Sequence, residues 1–154
     1  MRRIAVAAML LILALGACSA VPADPDGTLD RVTGGTLLVG VSPNPPWTDL
    51  PEGADGDPAG TEVELVTEFA ATLDAEVVWV PGGEEALIGQ LERGDLHLVI
   101  GGLTADSPWR EMAGFTRPYT ESADDGAQIP RVMAVPAGEN AFLVTLERFL
   151  LAAR

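Results

Sequence analysis

Short apolar runs alternate with helical periodicity along this chain, and that alternation constrains its fold more than any other feature. The predicted strands cover residues 36–42, 76–80 and 96–100. Between them, apolar residues recur every three or four positions over 61–73 and 84–93, as in amphipathic helices. Strands that alternate with helices through short turns form sheets with parallel neighbours. The sequence therefore predicts an α/β fold, a mostly parallel sheet with helices on both faces.

The C-terminal part is predicted to complete this fold with one strand and one helix. Residues 131–135 are apolar enough for a final strand, and residues 138–153 carry an apolar stripe at helical spacing. Glu139 and Asn140 are expected to serve the N-terminus of that helix. Thr61 and Glu64 have the spacing of a capping box at the start of the first long helix.

The first 18 residues have the pattern of a bacterial lipoprotein signal. Arg2 and Arg3 precede an apolar run over 4–15, and small residues lead to Cys18, the single cysteine of the chain. That run is too short to span a bilayer as a stable helix, which takes about 20 residues. We expect residues 1–17 to be a signal peptide and Cys18 to carry the lipid (palmitate and related acyl chains). The alternative is an ordinary cleaved signal with a coincidental cysteine.

Composition restricts the partners of the remaining chain. The full sequence has a net charge of −14 and no lysine, which argues against nucleic acid and against electrostatic attachment to anionic lipid. Residues 18–34 are rich in Pro, Asp and Ala without periodicity and are predicted to be a flexible tether. A solvated surface explains the acidity; a salt-rich habitat or a cationic ligand would also fit. With Cys18 lipidated, the fold has no disulfide and depends on its core.

The predicted topology also places a binding edge. Ligands of open α/β sheets bind outside the carboxyl ends of the strands. In this chain those ends are residues 42–47, 80–84 and 101–110. The long loop 43–60, rich in Pro and Gly, follows the first strand, and loops of that length are usually either functional or disordered.

Six short motifs in order give residues 35–119 a family resemblance. They are Gly35-Thr-Leu-Leu-Val-Gly-Val41, Asn44-Pro-Pro-Trp47, Glu62-Val-Glu-Leu65, Leu87-Ile-Gly-Gln-Leu-Glu-Arg-Gly94, Gly102-Leu-Thr104 and Phe115-Thr-Arg-Pro-Tyr119. The stretch resembles the family 3 bacterial extracellular solute-binding proteins, the polar-amino-acid-type receptors of ABC importers. The resemblance implies one lobe of a periplasmic-binding-protein-like fold, and in the family two such lobes close on a ligand by a hinge.

The second lobe of that family has no counterpart here. Only residues 120–129 lie between Tyr119 and a segment, 130–154, that resembles the returning part of the first lobe. We therefore predict a single lobe over 35–154, with a loop at 120–130 in place of the second lobe. Because a small-molecule site usually buries about 70–90% of its ligand, one wall predicts weak binding of a small polar solute. A permease or a second copy would otherwise supply the missing wall.

The resemblance also implies candidate ligand-binding residues. Trp47 corresponds to an aromatic that stacks on the ligand, although it could instead pack under the proline loop. Gly102 and Thr104 would offer a carbonyl and a hydroxyl or N–H to an amino-acid head group. Asn44 and Glu84 stand where many relatives carry aromatic residues, so amino-acid specificity stays open. A rim that carries Glu84 and Asp106 would suit a cationic or hydroxylated solute, and the alternative is that it is only a solvated edge.

Arg110 is the candidate carboxylate clamp, because guanidinium binds carboxylate in a bidentate manner. A gap-free alignment, however, places Trp109 at the position of the family's arginine. A shift of one residue rotates a helical side chain by about 100°. Arg110 is therefore kept as a candidate with its direction open.

The predicted function is extracytoplasmic solute binding by a lipid-anchored lobe, associated with ABC-type import. The alternative is an interaction or sensor lipoprotein whose rim docks a protein. We predict no catalysis, since the chain has no Gly-x-Ser-x-Gly elbow, phosphate loop or dinucleotide fingerprint. A small hydrolase or dehydratase is the third and least favoured alternative. No cofactor is predicted, and His97, the single histidine, is poor support for a metal.

Overall fold

The computed structural model describes residues 22–51, 56–124 and 127–153. The predicted signal peptide and Cys18 lie outside these residues. Within them, no helix is both long and apolar enough to cross a membrane. The elements in chain order are α1 (Thr28–Val32), β1 (Thr36–Val41), α2 (Thr61–Thr72), β2 (Glu76–Pro81), α3 (Glu84–Glu92), β3 (Leu98–Ile100), a 3₁₀ turn (Pro108–Glu111), β4 (Ala113–Phe115), β5 (Thr120–Asp124), β6 (Ala127–Arg131), β7 (Ala134–Pro136) and α4 (Asn140–Ala152).

The main sheet has five strands in the order β2-β1-β3-β7-β4. Strand β1 pairs in parallel with β2 and with β3. Strand β7 runs antiparallel to β3, with Ala134 opposite Val99, and β4 runs antiparallel to β7. Four of the five strands therefore point the same way, as predicted. Strand β4 was not expected from the sequence.

The alternation of side chains across the sheet creates one core on each face. On the first face, Leu37, Val39 and Val41 of β1 pack with buried residues of α2 and α4. There the Phe69 and Phe142 rings meet edge to face, with centroids 5.9 Å apart. On the other face, α3 packs its apolar side against Val99 and Ala134. The predicted arrangement of helices on both faces is confirmed.

The N-terminal segment corrects the predicted tether. Asp24 Oδ1 accepts hydrogen bonds from the N–H groups of Ala141 and Phe142 at 2.7 and 3.0 Å, in the first turn of α4. In return, Glu139 accepts from the N–H groups of Asp26 at 3.0 Å and Thr28 at 2.9 Å. Residues 24–32 are thus part of the folded unit, because each segment satisfies the free amides at the start of the other's helix.

This exchange also corrects the role predicted for Glu139 and Asn140. The Glu139 side chain makes no capping bond to its own helix α4, and its carboxylate serves α1 instead. The side chain of Asn140 donates to the Gly138 carbonyl at 3.0 Å. The capping box at Thr61 and Glu64 is also wrong: Gly60 is the N-cap of α2, and no side chain caps it.

The described residues of the segment predicted as a loop at 120–130 form two paired strands, here called the β5–β6 hairpin. Strands β5 and β6 pair antiparallel, with Thr120 opposite Arg131, as a two-stranded sheet separate from the main one. The final strand predicted over 131–135 is therefore divided, because Arg131 ends the hairpin while Ala134 and Val135 join the main sheet. Helix α4 covers that sheet, as expected, through Phe142 and Leu146.

Candidate functional site

Four chain segments meet at the carboxyl edge of the sheet. Strands β1 and β3 end there and continue into the loops that begin at Ser42 and Gly101. Because β7 runs the opposite way, the chain enters it at the same edge, which brings Arg131 there. The segment after β4 brings Tyr119, whose N–H donates to the Arg131 carbonyl at 3.1 Å. The predicted edge is therefore the place where the candidate residues meet.

A buried carboxylate holds this edge together. Glu62, in the first turn of α2, is 0% exposed. Its Oε2 accepts the N–H groups of Gly101 and Gly102 at 2.8 and 2.9 Å. Its Oε1 accepts the hydroxyl of Tyr119. One side chain thus joins α2, the turn after β3 and the segment after β4, which makes Glu62 the organising residue of the edge.

Burial controls the titration of this pair. Loss of water raises the pKa of Glu62 above its ordinary range, against the opposing effects of its three hydrogen bonds and the charge of Arg131. Burial also raises the pKa of Tyr119, and the neighbouring Glu62 raises it further. The Tyr119 hydroxyl therefore stays protonated at physiological pH and donates a hydrogen bond to Glu62.

The turn after β3 is shaped for a glycine at 102. Gly102 has φ +62°, and a Cβ there would lie 2.6 Å from both Asn44 Nδ2 and Trp47 Cδ1. Asn44 in turn donates from Nδ2 to the Gly101 carbonyl at 2.8 Å. The backbone of this turn therefore lies directly against the two candidate side chains of the 44–47 loop. Glycine is required because any larger residue would push them away.

Arg131 completes this cluster. Its Nη1 donates to the Gly102 carbonyl at 2.6 Å, and its Cζ lies 4.8 Å from the centroid of the Trp47 ring. The residue is only 9% exposed. A guanidinium over an indole face is held by the ring quadrupole, more strongly when water is excluded. We refer to Asn44, Trp47, Gly102, Thr104 and Arg131 as the rim cluster.

Thr104 enters the rim cluster through its backbone. It forms a bridge with Arg131, and its carbonyl accepts the N–H of Ser107 at 3.0 Å. Thr104 is half-buried. Its place in the cluster therefore depends on the pairing of the hairpin end with the loop after β3.

The other two predicted residues are engaged elsewhere or exposed. Glu84, at the start of α3, accepts the indole N–H of Trp109. Arg110 lies exposed in the 3₁₀ turn Pro108–Glu111, and among the described residues no hydrogen bond or ion pair connects it to the rim cluster. Trp109, at the aligned position of the family's arginine, packs against the core beneath α3. The one-residue offset therefore directs the indole inward and leaves the guanidinium outside.

Sequence reasoning missed three residues of this edge: Glu62, Tyr119 and Arg131. Glu62 and Tyr119 were noted only as parts of motifs, and Arg131 only as the start of a strand. An acid within an otherwise apolar helix face was one available signal, since Glu62 is followed by Val63 and lies one turn before Val66. The position of Arg131 had no local signal, because it depends on the hairpin.

The single histidine, His97, lies within the sheet. Its Nδ1 accepts the N–H of Leu38 at 3.2 Å, which engages one ring nitrogen within the sheet. Burial lowers the pKa of His97, and the charge of Arg31 lowers it further. In the part of the chain that the structure describes, no three His, Cys, Asp or Glu side chains are grouped to hold a metal ion.

Comparison with known proteins gives a family match and structural neighbours. Residues 37–153 match the family model of the bacterial extracellular solute-binding proteins, family 3. The arginine-bound form of domain 1 from TmArgBP superposes with a TM-score of 0.66 at 27% identity, covering 76% of this chain and 91% of that one. Its Phe57Trp mutant, also arginine-bound, gives a TM-score of 0.69 at 26% identity, covering 83% and 96%.

Two curated relatives have the name of an enzyme. The membrane-bound lytic murein transglycosylase F of Thiobacillus denitrificans is 36% identical over 98 residues, 63% of this chain. The protein of the same name from Maricaulis maris is 36% identical over 120 residues, 75% of this chain. This chain spans only 19% and 26% of the lengths of these relatives, so the similarity is confined to a part of each.

Proposed function

Because the chain belongs to the bacterial extracellular solute-binding proteins, family 3, we propose that it binds small polar solutes such as amino acids outside the cytoplasm. In this proposal it acts with an ABC-type importer, whose permease or a second copy of the chain is the partner. The lobe is held at the membrane by lipid on Cys18. Binding rather than catalysis is its activity.

The rim cluster is the observation that carries this proposal. It brings an indole face, a backbone carbonyl and an amide side chain together at the carboxyl edge of an α/β sheet, where ligands of such sheets bind. Because Arg131 lies over one face of the indole, a polar solute would bind at this edge through hydrogen bonds rather than by stacking on that face. Glu62 stabilises the cluster, because its carboxylate binds the N–H groups of the Gly101–Gly102 turn.

A single lobe is compatible with solute binding. The neighbour described as domain 1 from TmArgBP is one domain in an arginine-bound form, and this chain covers 91% of it. One wall buries less of a ligand than two. If half of the binding free energy at a Kd of about 1 μM were lost, the Kd would rise to about 1 mM. We therefore expect weak binding unless a partner covers the open side.

Calorimetric titration of the purified protein with amino acids, polyamines and sugars tests the proposal, together with thermal shift, because a bound ligand raises stability. We expect at least one polar solute to bind with a Kd near the millimolar range. The Trp47→Leu variant should lose this binding, while Trp79→Leu, on the edge strand β2, should keep it. Binding that survives Trp47→Leu unchanged would rule out the rim cluster as the site.

The lipid anchor has its own test. The Cys18→Ser variant should leave the membrane fraction, and the parent chain should incorporate radiolabelled palmitate in bacteria. Retention of the variant in membranes would contradict anchoring through Cys18.

A second candidate function, protein docking, has one specific observation in its favour. Strand β2 pairs only with β1 among the described residues, which leaves one long side of it at the sheet edge, and Val78 there is 45% exposed. An open edge can add a strand from a partner. Light scattering distinguishes docking from solute binding. If the parent is a dimer and Val78→Lys is a monomer that still binds solute, this edge serves association.

A further inference from the structure

The guanidinium of Arg131 already contacts two groups of the candidate solute site. It lies over the Trp47 ring at 4.8 Å and donates to the Gly102 carbonyl at 2.6 Å. Its Nε has no hydrogen-bond partner among the described residues and is shielded from solvent. An aromatic face and a carbonyl are the two kinds of group that would bind the cationic end of a solute. The chain thus places its own cation where a ligand's cation would bind.

Backbone pairing prevents this arginine from moving like a surface side chain. The N–H of Val132 donates to the Leu103 carbonyl at 3.0 Å, and the N–H of Ala105 donates to the Pro130 carbonyl at 3.4 Å. Between these two bonds, Thr104 and Arg131 form an antiparallel bridge. The base of the β5–β6 hairpin is therefore fastened to the loop after β3, which directs the Arg131 side chain onto Trp47.

We propose that Arg131 is a specificity-determining residue that excludes cationic amino acids from the rim cluster. A second guanidinium or ammonium would have to displace Arg131 or approach a buried like charge, and both are unfavourable. Solutes without a cationic side chain, such as neutral polar amino acids, are therefore the class that fits. This inference rests on the proposed solute-binding function and differs from the arginine-bound state of domain 1 from TmArgBP.

Calorimetry on three forms of the full chain tests the inference: the parent protein, Arg131→Gln and a matched control, Arg93→Gln. Arg93 is an exposed arginine at the end of α3, paired only with Asp95 among the described residues. The probes are L-arginine and L-citrulline, which has the same length and a neutral ureido group in place of the guanidinium. We expect the parent and Arg93→Gln to bind citrulline at least about tenfold more tightly than arginine. In Arg131→Gln, the Kd for arginine should fall at least about tenfold.

Two calorimetric outcomes would overturn the inference in distinguishable ways. If the parent binds arginine as tightly as Arg131→Gln does, Arg131 excludes nothing, while solute binding itself stands. If neither form binds either probe or any other solute, both the inference and the proposed function fail.

A second measurement covers the case in which Arg131→Gln does not fold. In proton–nitrogen spectra of the parent protein, the Nε–H of Arg131 should be shifted upfield by the Trp47 ring and exchange slowly with water. Excess arginine should leave it unchanged. A signal at the ordinary arginine position with rapid exchange, or one that arginine displaces, would show that the guanidinium does not occupy the site.

Discussion

Replacing Glu62 by leucine should destabilise this protein far more than most single substitutions. Leucine is close in size to glutamate, so the substitution leaves little cavity. It removes, however, the acceptor of the Gly101 and Gly102 amides and of the Tyr119 hydroxyl. Because Glu62 is 0% exposed, water does not replace this acceptor. The free energy of unfolding should therefore decrease mainly through donors left without partners.

The magnitude follows from counting those donors. A buried donor without a partner costs about 1–3 kcal/mol. The two glycine amides are fixed by the turn, whereas the Tyr119 hydroxyl can rotate. The loss for Glu62→Leu is then about 2–6 kcal/mol, a large part of a typical total of about 5–15 kcal/mol. Removal of a buried charge offsets some of this loss, since apolar replacements of buried ions can be favourable when every partner is replaced as well.

Two further variants separate hydrogen bonding from charge. Glu62→Gln keeps an oxygen for both glycine amides and turns its amide N–H toward the Tyr119 oxygen, so we expect a change below about 1.5 kcal/mol. Glu64→Leu makes the same chemical change at an exposed position of α2 and should be within about 0.5 kcal/mol of the parent. Urea denaturation, followed by circular dichroism, measures all three free energies. A Glu62→Leu protein within about 1 kcal/mol of the parent would refute this reasoning.

The remaining predictions concern titration, the turn and the helix caps. Because the folded state raises the pKa of Glu62, the stability that its protonation contributes is present below its ordinary pKa and is lost as pH rises through the raised value. Glu62→Gln should abolish this dependence of the free energy of unfolding on pH, measured by urea denaturation at several pH values. Because the folded state lowers the pKa of His97, the unfolded state binds a proton more readily. The free energy of unfolding should therefore fall as pH drops below about 6.5, and His97→Gln should not show this fall. Gly102→Ala, forced into φ +62° against Trp47, should lose at least about 1 kcal/mol and weaken solute binding by calorimetry. Asp24→Ala should lose about 0.5–2 kcal/mol in urea denaturation through its bonds to the first turn of α4, and a loss below that range would show that the N-terminal segment is not stably docked.

Local sequence patterns were sufficient to predict the three parallel strands and the three long helices. Each of these elements is specified by neighbours within about one turn or two residues, such as the apolar stripe of α4 or the run that forms β1. The sheet topology then placed the carboxyl edge. Four of the six predicted ligand-binding residues meet there: Asn44, Trp47, Gly102 and Thr104. Their role as ligand contacts stays a prediction.

The cap exchange between Asp24 and Glu139 shows where local reasoning fails. Glu139 directly precedes α4 and by pattern should cap it, yet its carboxylate binds amides of residues 26 and 28, more than 100 positions earlier in the chain. A carboxylate caps whichever free amides the fold brings within reach, and only the folded backbone decides which those are. The same reason explains why residues 24–32 looked like a tether.

From the sequence alone, the fold class, the order of the main elements and the family resemblance could be derived, because periodicity and short motifs are properties of neighbouring residues. The tertiary structure decided that Glu62 is the buried centre of the binding edge and that Arg131 covers Trp47. Those contacts join residues from 39 positions apart (Glu62 and Gly101) to 84 positions apart (Trp47 and Arg131). The position of Arg131 also depends on the pairing of β5 with β6, which no local pattern predicts. The chemistry of the site therefore comes from the long-range packing of residues that were ordinary in sequence.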